Sequence, residues 1–258
     1  MIRLLIRSFI ISFSMYSKIP VPQLEWKDQD MKYVLCFFPW VGAVIGLVTM
    51  LWGIICNNLS IGRVLYTTVG TAIPLLVTGG FHVDGFMDSM DAFHSYQSRE
   101  RKLEILKDSH IGAFSVIQLV LYYLVYMGAY SEIISLRALA VVSAGFFLSR
   151  TLCGIGVVTF KNAKKDGLLF LFSSKAHEKI VKISLYIQLI LCFAVMITLS
   201  LWAGMAVIAG TLLTFGYYRY RCYKEFGGIT GDTSGYFVTL CEGVTVVIVG
   251  VCSIAGLI

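Results

Sequence analysis

Apolar runs of bilayer-crossing length alternate along the chain with short polar breaks. Tyr33 to Cys56 carries no charge over a stretch long enough to cross as one helix, and Val64 to Gly80 is a shorter run that Pro74 is expected to bend. Ile111 to Tyr130 and Ala138 to Phe160 follow, the latter interrupted by Arg150. Ile183 to Tyr218 is charge-free and too long for one span, so it divides near Trp202-Ala203-Gly204. Tyr236 to Ile258, with Glu242 inside it, completes seven predicted spans. Met1 to Pro22 differs: Arg3 and Arg7 break two short apolar runs, no small-residue cleavage site follows, and Ile19-Pro20-Val21-Pro22 forces extended backbone. It reads as an interfacial or re-entrant helix ahead of the bundle.

Composition strengthens this picture. With 57% hydrophobic and 14% charged residues and a mean hydropathy of +0.79, the chain is no ordinary soluble domain. The expected fold class is all-α: a polytopic membrane helix bundle of about seven transmembrane helices plus the N-terminal helix, forming a single integral-membrane domain over residues 1–258. The seven cysteines are widely scattered, mostly inside apolar runs, without a C-x-x-C pair, so they read as small core residues.

Charge sets the orientation. Residues 1–32, 81–110, 160–182 and 219–235 hold five, four, six and three Lys or Arg, against Arg63 and Arg137 alone on the other side. That asymmetry puts the N-terminus and the 81–110 segment in the cytoplasm. The basic segments lack interleaved aromatic platforms, so a nucleic-acid partner is not indicated.

The strongest polar interruption runs from Thr78 to Gly112, read as an acidic cytoplasmic active-site loop over residues 78–112. Within it Asp84, Asp88 and Asp91 stand at i, i+4 and i+7, which on a helix confines three carboxylates to one stripe. Such like charges need a cation between them. Carboxylate oxygens suit a hard divalent ion such as Mg2+, which in turn points to a phosphate substrate. The competing reading is a solvated acidic face. Gly79-Gly80 and Gly85 would allow close backbone or ligand approach, and His82 precedes the first Asp by two residues.

Other residues extend the candidate site. Arg99 to Asp108 alternates charge like a solvated helix, but Lys107 and Asp108 sit where the chain re-enters the membrane, as a phosphate-binding lysine and a further metal carboxylate would. Arg150 and Glu242 lie well inside predicted spans and must face the bundle interior or a wet cavity, as an ion pair or as ligands to a polar substrate. Lys164 and Lys165, in the run Lys161 to Gly167, are either topogenic or anion-binding. Glu225 to Asp232 has three glycines around Thr230 and Asp232, a flexible, ligand-accessible rim. His94, His110 and His177 show no ligand spacing and read as surface residues.

Taken together, these residues resemble the cobalamin synthase family, the adenosylcobinamide-GDP ribazoletransferases. The match is strongest over Gly79-Gly80-Phe81-His82-Val83-Asp84-Gly85 with Asp88 and Asp91, continuing into Lys107-Asp108-Ser109 and Ile111-Gly112. Ile19 to Pro22, Phe38-Pro39 to Gly46, Ser149-Arg150, Lys164 to Leu168, and Thr230-Gly231-Asp232 with Gly235 and Glu242 add weaker blocks in order. Lys18, Ala92 and His110 depart from the family pattern, and a neutral imidazole at 110 cannot reproduce a guanidinium contact to phosphate.

The resemblance implies a late step of cobalamin biosynthesis at the inner membrane: the 5'-hydroxyl of α-ribazole, or its 5'-phosphate counterpart, joins to the phosphate of adenosylcobinamide-GDP and GMP leaves. It implies Mg2+ held by Asp84, Asp88 and Asp91, with Asp108 and Asp232 as further ligands. His82 or an Asp of the cluster serves as base, while Lys107, Arg150, Lys164 and Lys165 contact phosphates and Thr230 and Glu242 the substrate. Membrane lipid surrounds the chain, and a homo-oligomer or other cobalamin-assembly enzymes are the open partner readings. The rival functions are another Mg-dependent membrane phosphotransferase of the CDP-alcohol or prenyl type, and a non-enzymatic transporter. Against the first, Gly85 follows the first Asp and no Ala-Arg pair follows Asp88; against the second, the polar residues gather on one face without inverted halves.

Overall fold

Backbone groups inside a bilayer have no water to bond, so apolar runs satisfy them internally as helices. The computed structural model, which describes residues 2–108 and 110–258, shows this along nearly the whole chain. Helix α1 (Ile2–Tyr16) leads through a 3-10 turn at Asp28–Tyr33 into α2 (Val34–Asn58) and α3 (Arg63–Thr78). Then come α4 (Phe81–His94), α5 (Arg99–Ile105), α6 (Ala113–Ser131), α7 (Leu136–Thr159) and α8 (Gly167–Lys175). The chain closes with α9 (Glu178–Leu199), α10 (Leu201–Phe226) and α11 (Gly231–Ile254).

Hydrogen bonds between chain breaks define two ends of the bundle. At one end the Tyr66 hydroxyl donates to the Ile133 carbonyl at 2.6 Å, Arg137 donates to the Leu199 carbonyl, and the Ser200 hydroxyl donates to the Leu257 carbonyl. At the other, the Lys18 N–H donates to the Val77 carbonyl at 2.7 Å, the His177 N–H to the Lys32 carbonyl at 3.0 Å, and Asn162 bridges Ile229. Helices α2, α3, α6, α7, α9, α10 and α11 each run between these ends, which gives the seven expected passages. Six of them are long and apolar enough to cross a membrane unaided. Helix α3 has 16 residues, roughly 24 Å at 1.5 Å per residue.

Helix α1 forms ahead of the bundle as a separate N-terminal helix, as expected. It buries Ser8, Ile11, Ser12 and Phe13, exposes Ile2, Ile6 and Phe9, and ties Arg7 to Asp30 at 2.8 Å.

Three expectations change. The acidic stretch is not a loop but two helices, α4 and α5. Gly79 (φ 68°) and Gly80 (φ 82°) take left-handed conformations in succession, which ends α3 and turns the chain by 93° into α4. Helix α4 then crosses the first turns of α11 and reaches the end of α10, where Phe93 packs on Phe226 and Tyr236. It therefore lies at the end of the bundle, not through it. The division of the 183–218 run falls at Ser200, whose hydroxyl caps α10, two residues before the expected break. The 225–232 rim is not slack: Ile229 exchanges backbone hydrogen bonds with Lys161 and Ala163, and Thr230 caps α11.

Candidate active site

Helix α4 is held against α11 at backbone distance. A Cβ added to Gly85 would come 2.6 Å from the Asp232 carbonyl oxygen, and one on Gly235 would meet the His82 carbonyl oxygen at 2.9 Å. Only glycines permit this crossing, and it brings two acidic segments together: Asp84 and Asp88 on α4, Asp232 on the first turn of α11.

A pocket of about 330 Å3 opens over this crossing. Asp84, Asp232 and Thr230 line it with Lys107 from the α5–α6 turn and Lys164 from the α7–α8 segment. The N-termini of α8 and α11, at Gly167–Leu168 and Gly231–Asp232, also border it. Helix N-termini present unpaired N–H groups and a partial positive charge, so with two lysines the pocket has an anion-binding side opposite its carboxylates. Lys164 donates to the Leu103 carbonyl at 3.0 Å, and burial holds its ammonium below the usual lysine range against the pull of Asp232. Lys107 pairs with Asp166 at 3.2 Å.

The carboxylates crowd one another. Burial, then the charges of Asp84, Asp232 and Asp91, push the Asp88 carboxyl up to about 7. Among the described residues no three His, Cys, Asp or Glu side chains stand ready-made as a metal cage. The donor set fits a hard cation that takes one or two carboxylates from the protein and completes its shell with water and substrate phosphate, as magnesium does.

Several candidates from the sequence stand elsewhere. Asp91 accepts the N–H of Gly112 at 2.8 Å and of Ser115 at 3.0 Å, so it caps α6. Asp108 is exposed and bonded to His110 at 2.6 Å, outside the pocket lining. Lys165 is exposed and does not line the pocket. His82 faces away from the carboxylates: buried, with its ring beside Tyr16 and Phe38, it lines an interior cavity and not the carboxylate pocket. Arg150 donates to Glu242 at 2.5 Å and to the Phe146 carbonyl at 2.9 Å, so these two form an ion pair inside the bundle and reach no phosphate in the pocket. For Arg150 that corrects the expected ligand contact, because a buried guanidinium beside a carboxylate is already compensated.

Sequence reasoning missed other walls. Phe81, Leu106, Asp166 and the apolar start of α8 line the pocket, although Asp166-Gly167-Leu168 stands in the sequence as a turn before an apolar run too short to span. The segment expected to be a solvated helix is docked instead: Lys102 is buried against Glu225 at 2.5 Å.

The fold and site define a polytopic α-helical membrane enzyme with a mixed carboxylate and lysine pocket at one end of its bundle. Residues 8–250 match the family model described as cobalamin-5-phosphate synthase. The chain belongs to that family. It is 44% identical over 246 residues to the adenosylcobinamide-GDP ribazoletransferase of Lachnoclostridium phytofermentans, covering 94% of each chain. It is 31% identical to the enzyme of that name from Clostridium perfringens, over 93% of this chain and 96% of that one. With that from a Geobacillus species it shares 31% identity, over 92% and 91%. No solved structure matches the chain significantly.

Proposed function

We propose that the protein transfers α-ribazole, or α-ribazole 5'-phosphate, onto adenosylcobinamide-GDP, with Mg2+, at the cytoplasmic face of the inner membrane. A ribose hydroxyl oxygen bonds to the phosphorus next to the cobinamide, the bond from that phosphorus to GMP breaks, and GMP leaves. The family's description names a 5-phosphate product. A product that keeps its 5-phosphate requires attack by a different ribose hydroxyl, which corrects the 5'-hydroxyl implied by the resemblance.

One observation carries the reading: the pocket sets carboxylates Asp84 and Asp232 opposite Lys107, Lys164 and two helix N-termini. A pyrophosphate substrate needs both sides. Lys107, Lys164 and the N–H groups of α8 and α11 bind and orient the phosphates. Asp84, Asp88 and Asp232 would hold the metal, which neutralises phosphate charge and stabilises the departing phosphate. The hydroxyl proton passes to Asp84 or Asp232, pocket carboxylates without an ion-pair partner among the described residues. Thr230 holds the first turn of α11 in place through its cap to the Thr233 N–H at 3.2 Å. The charge asymmetry of the loops supports the cytoplasmic orientation.

The test is release of GMP and formation of the corrinoid product by the purified protein in lipid nanodiscs, with both substrates and Mg2+. Turnover that chelation abolishes supports the reading; a folded protein that releases no GMP contradicts it.

A further inference from the structure

Behind α4, on the side away from the carboxylates, five helices meet around a cavity of about 20 Å3. Thr71 of α3, His82 of α4, Tyr126 of α6, Arg150 of α7, and Thr239 and Glu242 of α11 line it. Five of these carry polar atoms with no hydrogen-bond partner among the described residues: the Thr71, Tyr126 and Thr239 hydroxyls, both His82 ring nitrogens and Arg150 Nε. Their residues are between 1% and 6% exposed, so bulk solvent does not serve them. Buried polar atoms are bonded as a rule, and here five residues' worth converge on one space.

We propose that this cavity is a buried hydration site whose ordered water joins His82 to the Arg150–Glu242 pair, and that His82 acts through that water as a positioning residue for α4. Size fits: by this measure one water needs about 10–15 Å3 and two to four polar partners. Charge fits as well. Arg150 and Glu242 compensate each other at 2.5 Å, so the space calls for a neutral ligand and not an ion. The complement also matches, because Arg150 Nε only donates, a neutral imidazole has one donor and one acceptor, and the hydroxyls do both. Water, donating two bonds and accepting two, can serve that mixture. The hydration site is independent of the reaction proposed above; the role of His82 in turnover rests on it.

The sign of a stability change decides the first half. In a dry cavity, Thr71→Val and Tyr126→Phe would delete unsatisfied atoms and raise Tm; in a hydrated one they strip partners from the water and lower it. The double variant in lipid nanodiscs is expected to melt about 2–4 °C lower than the parent. An unchanged or higher Tm overturns the hydration site. For the second half, His82→Leu should lower kcat by about tenfold to a hundredfold, as small misplacements of reacting groups do. His82→Gln, which can donate and accept, should recover most of that loss, with KM for either substrate moving less than about twofold. Full activity in His82→Leu, or equal loss in both variants, overturns the positioning role. Should the parent show no turnover at all, the melting comparison still decides the hydration site.

Discussion

On its outer side α4 turns Asp84 toward Asp232 and an open pocket, with Asp88 near enough to feel both charges, and lysines across the gap but no ion pair to Asp84 or Asp232 among the described residues. On its inner side the same helix sets His82 over Arg150 and Glu242, whose opposite charges meet directly. Both regions bring charge into an apolar bundle. One leaves it uncompensated and accessible, the other neutralises it and encloses it. Charge that no protein group neutralises calls for solvent or a ligand, so the proposed function makes the outer face the binding face and the inner face its support.

The largest expected effect tests the outer face. Asp84→Asn and Asp232→Asn should each lower kcat at least about a hundredfold, since each tenfold is 1.36 kcal/mol and metal-assisted charge neutralisation is worth several. Neither should lower the melting temperature of the metal-free protein, because Asp84→Asn removes a charge that repels Asp88 and Asp232→Asn removes one that burial disfavours. A steady-state assay beside a melting curve separates the two.

The inner face should behave in the opposite way. Arg150→Met leaves Glu242 charged and buried, which is expected to cost about 3–5 kcal/mol, while Arg150→Met with Glu242→Met should cost much less than the sum of the single changes. Equilibrium unfolding in detergent reads the coupling. Simple additivity would show that the pair does not act as a unit.

A pH scan sharpens the contrast further. The Asp88 carboxyl, pushed up from 3.8 to about 7, holds its proton in the folded state where the unfolded chain has lost it. The folded metal-free protein should therefore lose stability as pH rises from about 4 toward about 7. Divalent ions should bind more tightly over the same rise, and Asp88→Asn should flatten the stability slope. A metal-free stability that climbs with pH through this window would contradict the crowding.

Smallest is the effect at Asp91. As a cap on α6 it should cost about 1 kcal/mol on substitution by Ala, with a decrease in kcat well short of that for Asp84→Asn. A loss as large as at Asp84 would return Asp91 to the metal.

Much of this was legible in the sequence because a bilayer leaves few choices. Charge-free runs gave the long crossings, and the lysine and arginine asymmetry grouped the polar segments that the structure brings to one end. The i, i+4, i+7 spacing placed three carboxylates on one stripe, but not the cap at Gly112 that occupies Asp91. Adjacency to Asp84 in sequence makes His82 look like a partner of the carboxylates, but two residues along a helix are about 200° apart, so it faces the interior. Arg150 and Glu242 were legible as intramembrane charges, but their pairing across 92 positions was not. Helix α8 escaped because nine residues after Asp166 are too few for a span and carry no helical stripe. The crossing at Gly85 and Gly235 joins segments 150 residues apart, and no local pattern announces such a contact.

The most direct measurement is Mn2+ binding by electron paramagnetic resonance in lipid nanodiscs, with adenosylcobinamide-GDP present, for the parent, Asp84→Asn and Glu242→Gln. If the outer face is the binding face, the parent and Glu242→Gln bind Mn2+ alike and Asp84→Asn binds at least about tenfold more weakly. Equal binding by all three, or a loss confined to Glu242→Gln, would contradict it.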